Sequence, residues 1–242
     1  MEGERTPAVR QRGRAWPLLL LALVIAAAGL AWRERWIELP PNALPWDLPD
    51  LTQPPLMFAH LQISGLVERP ERCFAALSNA QVKYTRVQDR VTGDRCGYTN
   101  AVRLDGLPIP VEHRPTASCG LAAALAWYEH ELSGVAERTL NARIVRIEHF
   151  GTFACRNVNS ESDGQRSEHA TANAIDVAGY VLSNGRVVTV ARDWNKPTPE
   201  GRFLAGAHDA ACRVFNGVLG PDYNRLHVDH FHLDLGQYRI CR

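Results

Sequence analysis

Apolar and polar positions follow three regimes along this chain. Residues 16–32, WPLLLLALVIAAAGLAW, carry no charge and predict one hydrophobic helix at the lower length limit for crossing a membrane. Residues 39–55, LPPNALPWDLPDLTQPP, hold six prolines, which exclude regular helix and predict an extended, semi-rigid spacer. From residue 56 onward the pattern is that of a folded domain. Residues 70–79 predict a short helix. Residues 80–112 mix short apolar runs with Gly93, Gly97 and Gly106, a pattern of strands and turns. In 117–133, Leu121, Leu125, Tyr128 and Leu132 recur at helical spacing, with Gly134 as the stop. RIVRIEHF, 143–150, predicts a strand. Two β-rich runs flank Asn184-Gly185, a hairpin signal. Residues 201–216 predict a second helix ending near Gly217 or Gly220, and HVDHFHLDL, 227–235, a last strand. Separate helices and an antiparallel sheet make this an α+β domain.

Composition narrows the setting. The chain has 242 residues, 45% of them hydrophobic, enough for one domain with a real core. The formal net charge is +1, and the first 35 residues hold six of the arginines. The other 207 residues carry 21 basic and 23 acidic groups, which excludes nucleic-acid binding as the main role. Arg5, Arg10, Arg12 and Arg14 precede the apolar run, and only Arg33 and Arg35 come closely after it, so the N-terminus is expected inside and the domain outside. The chain thus divides into a basic cytoplasmic segment, 1–15, a signal-anchor or signal peptide, 16–32, a Pro-rich linker, 33–55, and a domain, 56–242. A cleaved signal would be cut around residues 26–28; Trp16 and Trp32 bracket the run as interface residues do and favour an uncleaved anchor.

Six cysteines, Cys73, Cys96, Cys119, Cys155, Cys212 and Cys241, all lie beyond the apolar run, and no two form a C-x-x-C pair. An even count beyond an export signal predicts three disulfides in an oxidising compartment; buried free thiols are the alternative. Sequence does not choose among the pairings.

The chemistry concentrates in two stretches. In SEHATANAID, 167–176, Asp176 opens a β-rich run, which puts His169 on a loop and Asp176 at a strand edge. In LHVDHFHLDL, 226–235, strand alternation puts His230, His232 and Asp234 on one face, with Phe231, Leu233 and Leu235 on the other. The alternative is a polar, solvated sheet face. Imidazole and carboxylate suit zinc, and three protein ligands leave a position for water.

The pattern S-x-H-x(6)-D and, further on, H-x-H resembles the signature of the LAS zinc peptidases, which include D-Ala-D-Ala peptidases and murein endopeptidases. More closely, FACR at 153–156, SEHATANAIDV at 167–177, LGPDYN at 219–224 and HVDHFHLDL at 227–235 resemble the bacterial extensin-like C-terminal family. The resemblance implies an antiparallel sheet with flanking helices, as in M15-type peptidases. It implies Zn2+ held by His169, Asp176 and His232, and peptidoglycan peptides as partners in the periplasm, beside the inner membrane. It puts His230 where relatives place the acid/base. Other LAS members have Glu three residues before the last ligand; Asp229 stands there instead and is the reserve candidate. Arg156 resembles the LAS arginine that binds a substrate carboxylate or the developing oxyanion, or is an ordinary surface Arg. Ser167 orients the His169 loop or touches substrate, or simply caps a turn. His227 and Asp234 are candidates to orient the ligand imidazoles; Asp234 is otherwise a solvated strand residue. Cys155 and Cys212 flank the motifs as candidate braces.

His60, His113, His130, His149 and His208 have no partner at ligand spacing and read as surface or satisfied histidines. Trp194 lines a cleft or, by default, packs. The expected function is zinc-dependent hydrolysis of peptide bonds in peptidoglycan stem peptides or cross-links. The competing readings are a cell-wall-binding scaffold that keeps the fold without turnover, and a hydrolase of a different amide.

Overall fold

A computed structural model describes residues 16–34 and 38–242, so the basic segment 1–15 lies outside the described residues. The chain divides into two compact units at Pro40–Pro41. The first contains helix α1, Trp16–Arg33, in which no side chain is buried. This helix is long and apolar enough to cross a membrane, a property that signal sequences share.

The second unit begins at Pro41, so residues 41–55 of the spacer expected over 33–55 fall within it, while residues 35–37 lie outside the described residues. Residues 41–55 lie along the domain as a strap. Asn42 is buried; its amide donates to the Asp50 and Pro54 carbonyls and its Oδ1 accepts from the Asp50 N–H. Leu51 joins the core, and the Trp127 indole donates to the carbonyls of Asp50 and Gln53. Prolines forbid helix and free the chain from internal hydrogen bonding. They do not prevent its carbonyls from being satisfied by the domain it crosses.

After the strap come α2 (Ala59–Val67) and α3 (Pro70–Asn79), then β1 (Lys83–Arg86), β2 (Arg90–Gly93), β3 (Cys96–Tyr98), β4 (Ala101–Gly106) and β5 (Thr116–Ser118). Strands β1, β4 and β5 form one small antiparallel sheet, and β2 pairs with β3. Helix α4 runs Cys119–Leu140. Ser118 caps it by accepting from the Leu121 N–H. It passes through the expected stop at Gly134, because Val135, Ala136 and Leu140 continue the buried stripe; Asn141, at φ 48°, ends it. The remaining elements are β6 (Ile144–His149), β7 (Ala174–Leu182), β8 (Val187–Thr189), α5 (Val190–Asp193), α6 (Pro199–Val214), β9 (Gly217–Leu219), β10 (Phe231–Asp234) and β11 (Ile240–Cys241). Helix α6 begins at Pro199, with the Thr198 hydroxyl accepting from Gly201 N–H, and stops at extended Phe215, before the glycines expected to end it.

The main sheet has the order β11-β9-β10-β7-β6, with β8 also on β7. Its ladders are antiparallel except β11 on β9. Helices α4 and α6 pack against each other and against β7: the Tyr128 hydroxyl meets that of Tyr180 at 2.8 Å and the Ala207 carbonyl at 3.2 Å. Strand β7 carries a bulge that decides where its residues point. Glu148 pairs with Gly179 and His149 with Val177, so Ala178 is an extra residue. Below the bulge Ile175 and Val177 enter the core, and above it Tyr180 and Leu182 do. A strict alternation would send Asp176 to the same side as Tyr180; the bulge sends it to the opposite side. Gly179 permits this crowding, since a Cβ there would lie 2.7 Å from the Val188 carbonyl oxygen.

All six cysteines are paired: Cys73–Cys119 joins α3 to α4, Cys96–Cys155 joins β3 to the segment before the His169 turn, and Cys212–Cys241 joins α6 to β11.

Candidate metal centre

On the coreless face of the main sheet, the ladder sets His232 of β10 directly opposite Asp176 of β7. Phe231 and Leu233 fill the core from the other side of the same short strand. His169 arrives from a single 3-10 turn, Glu168–Thr171. Ser167 caps that turn by accepting from the His169 N–H at 3.3 Å, and Ala172, at φ 54°, closes it. The three side chains, His169 and Asp176 seven residues apart and His232 another 56 further on, come together below the surface.

Their donor atoms converge. His169 Nε2 is 3.0 Å from Asp176 Oδ1 and 3.1 Å from His232 Nδ1, and His232 Nδ1 is 2.9 Å from Asp176 Oδ1. The outer nitrogens are occupied elsewhere. His169 Nδ1 donates to the Thr152 carbonyl at 3.2 Å, and His232 Nε2 to Asp234 Oδ2 at 2.9 Å. Each ring therefore turns its lone pair inward, and two lone pairs and a carboxylate oxygen face one another in a buried place. That arrangement demands positive charge. The protonation behaviour expresses the same demand. Burial favours a neutral Asp176, but the hydrogen bonds and charges of His169 and His232 outweigh it and hold the carboxyl far below its usual range. Burial pushes His232 down, yet Asp176 and Asp234 on its two nitrogens pull it up to about 9.

A divalent ion meets that demand better than one proton. Tetrahedral zinc with ligands at ~2.0–2.1 Å sets its donor atoms roughly 3.3 Å apart. The observed triangle, 2.9–3.1 Å on a side, needs to open by only a few tenths of an ångström. His169, Asp176 and His232 could thus hold a metal ion: their donor types and outer hydrogen bonds suit one, and their spacing falls only a few tenths of an ångström short.

Around the triangle lies a cleft of about 270 Å³. His230 stands just before β10, outside the strand expected to run from 227 to 235; its Nε2 is 3.5 Å from Asp176 Oδ1. Its Nδ1 is hydrogen-bonded to Asp229 Oδ1 at 2.9 Å, so Asp229 acts on the site through the His230 ring. Phe150 packs edge-on against that ring. Arg156, one residue after the Cys96–Cys155 bridge, lays Nη2 3.7 Å from Asp176 Oδ2 with its side chain 39% exposed to the cleft.

His227 lies in a separate short turn, Arg225–His227, where the pattern predicts the final strand to have begun already. Its Nδ1 donates to Asn224 Oδ1 at 2.7 Å, and its ring packs beside those of His230 and His232. Burial first, then the neighbouring His230 and His232, push it down to about 4. It does not orient a ligand imidazole: those tasks fall to the Thr152 carbonyl and to Asp234. Asp234 has room because its neighbour in β9 is Gly217, where any Cβ would collide with the carboxylate.

Sequence reasoning missed Thr152, since a backbone carbonyl leaves no trace in residue type. It also missed Asn224 and Phe150; the signal for Asn224 was its place three residues before His227. Of the other histidines, His130 and His149 bind backbone carbonyls of Leu51 and Glu112, and Trp194 packs on His208 and Phe231 outside the cleft.

Residues 71–242, well over half of the chain, match the family model described as "Extensin-like protein C-terminus". No curated protein and no solved structure matches.

Proposed function

We propose, from the premise that the chain belongs to the extensin-like C-terminal family, that it is a zinc-dependent hydrolase of peptide bonds in peptidoglycan stem peptides or cross-links. The observation that carries this reading is the inward convergence of two imidazole lone pairs and one carboxylate oxygen, with both outer ring nitrogens already bonded. Relationship to the LAS peptidases, with an M15-like fold, belongs to the same proposal and rests on the S-x-H-x(6)-D and H-x-H motifs. The three disulfides and the apolar α1 support an anchored or exported domain in the periplasm, where this substrate lies.

His169, Asp176 and His232 would hold the ion, which supplies Lewis acidity toward a carbonyl oxygen and lowers the pKa of water toward neutrality. His230 is the proton carrier. Its Nε2 opens on the cleft beside the triangle, while Asp229 holds the ring in place from its other nitrogen. It takes a proton from the attacking water and delivers it to the departing amine nitrogen. The partly exposed Arg156 guanidinium binds a substrate carboxylate or offsets negative charge on the carbonyl oxygen.

Purified peptidoglycan incubated with zinc-loaded chain should release new amino groups, measured with an amine-reactive dye, and a chelator should stop the release. Binding to sacculi with no release would instead favour the scaffold reading.

A further inference from the structure

Among the described residues, a second place where metal-ligating side chains meet lies in the C-terminal half of α6, and the zinc-peptidase reading makes no use of it. His208 and Cys212 are one helical turn apart, and Cys241 of β11 is bridged to Cys212. One donor atom from each lies within 4.8 Å of the others. His208 is nine-tenths buried, between Trp194 and Phe231. Its Nε2 donates to the main-chain oxygen of Arg242 at 3.1 Å, so in the neutral ring Nδ1 carries the lone pair. That lone pair faces Cys212 Sγ at 3.9 Å. A disulfide sulfur has no hydrogen to give, which leaves a buried acceptor aimed at the bridge without a donor.

We infer that Cys212, Cys241 and His208 form a second, redox-gated metal site, closed while the disulfide stands and able to take a zinc-like divalent ion once it is reduced. A dithiol reductant gives two electrons and two protons to the Cys212–Cys241 bond; that bond breaks to two thiols, and the dithiol closes to its own disulfide. Binding of the ion then releases both thiol protons. Two thiolates and an imidazole are a soft donor set suited to zinc. Zinc bonds of ~2.3 Å to sulfur and ~2.0–2.1 Å to nitrogen put those atoms roughly 3.6 Å apart in a tetrahedron, close to the spacing present. The hydrogen bond from Nε2 to the Arg242 main-chain oxygen supplies the outer contact that orients a ligand imidazole.

This bridge is also more accessible than the wholly buried Cys73–Cys119 pair: Cys212 is half-buried and Cys241 exposed. The site has a structural consequence, because Gln237, Tyr238 and Ile240, just before Cys241, line the cleft around the His169 triangle. The inference shares no ligand with that triangle, so it stands or falls separately from the peptidase reading.

The test is cobalt(II) titration of the full-length chain in detergent, before and after dithiol reduction and anaerobic removal of the reductant. Thiolate-to-cobalt charge-transfer absorption is the readout, which the sulfur-free triangle cannot produce. The reduced chain should develop this band, saturating at one sulfur-bound cobalt per chain while the triangle fills alongside it, and the oxidised chain should not. The Cys212→Ser/Cys241→Ser chain should lack it, and His208→Gln should weaken the affinity by more than about tenfold. Absence of the band, its persistence in the double serine variant, or unchanged affinity in His208→Gln would overturn the inference. So would loss of near-ultraviolet circular dichroism on reduction, since the site requires α6 and β11 to stay together.

Discussion

His230 and Asp229 are adjacent in sequence but unequal in position. The His230 ring reaches into the cleft, whereas Asp229 touches the far nitrogen of that ring and is half exposed. On this account His230→Ala lowers kcat by about 10²–10⁴-fold, the usual worth of a positioned general acid/base. Asp229→Asn should cost less, on the order of tenfold, because it removes only the partner of the ring. Zinc content, measured by atomic absorption, should be unchanged in both. A larger loss for Asp229→Asn than for His230→Ala would reverse the assignment. The ligand candidates came from the resemblance of S-x-H-x(6)-D and H-x-H to a zinc-peptidase signature, since a histidine and a carboxylate seven residues apart are common on protein surfaces. The Thr152 carbonyl was not legible in the sequence, since every residue has one and only the fold decides which faces the His169 ring.

Single strands and turns set the aim of those residues. The alternation of β10 was readable, and it places His232 and Asp234 opposite the core as expected. Alternation alone carries the strand too far toward the N-terminus, because His227 and His230 reach the site from a turn. The bulge at Ala178 was not legible, since AIDVAGYVL reads as one apolar run; yet the bulge is what sends Asp176 away from the core while Tyr180 enters it. Gly217 gives a direct check on this geometry. Gly217→Ala should displace Asp234 from His232 and weaken zinc binding by about 10–100-fold, measured by competition with a chelating dye, while the circular dichroism spectrum is retained. The strap was not legible either, because a run of prolines reports what the backbone cannot form and says nothing of what it lies against. Asn42→Ala removes three hydrogen bonds at a buried position and should destabilise the domain by about 1–3 kcal/mol, seen as a lower urea midpoint by tryptophan fluorescence. A free spacer would leave that midpoint unmoved.

At the scale of the molecule, much of the organisation was visible at the outset: an apolar helix, then an α+β domain stapled by three disulfides. The domain boundary was not, and it moves from 56 to Pro41 once the strap is counted. Disulfide pairing was equally hidden, because it depends on which loops the sheet brings together. Cys96–Cys155 is the informative bridge: it pins the segment that carries Arg156 and, through Thr152, the back of the His169 ring. The central claim is that this framework serves one reaction, metal-dependent cleavage of cell-wall peptides. Mass spectrometry of muropeptides after incubation with zinc-loaded full-length chain, run beside its His169→Ala variant, tests it most directly. The account predicts fragments whose masses differ by the addition of one water across a peptide bond, present with the unaltered chain and absent with the variant. Identical muropeptide profiles from the two chains would contradict it.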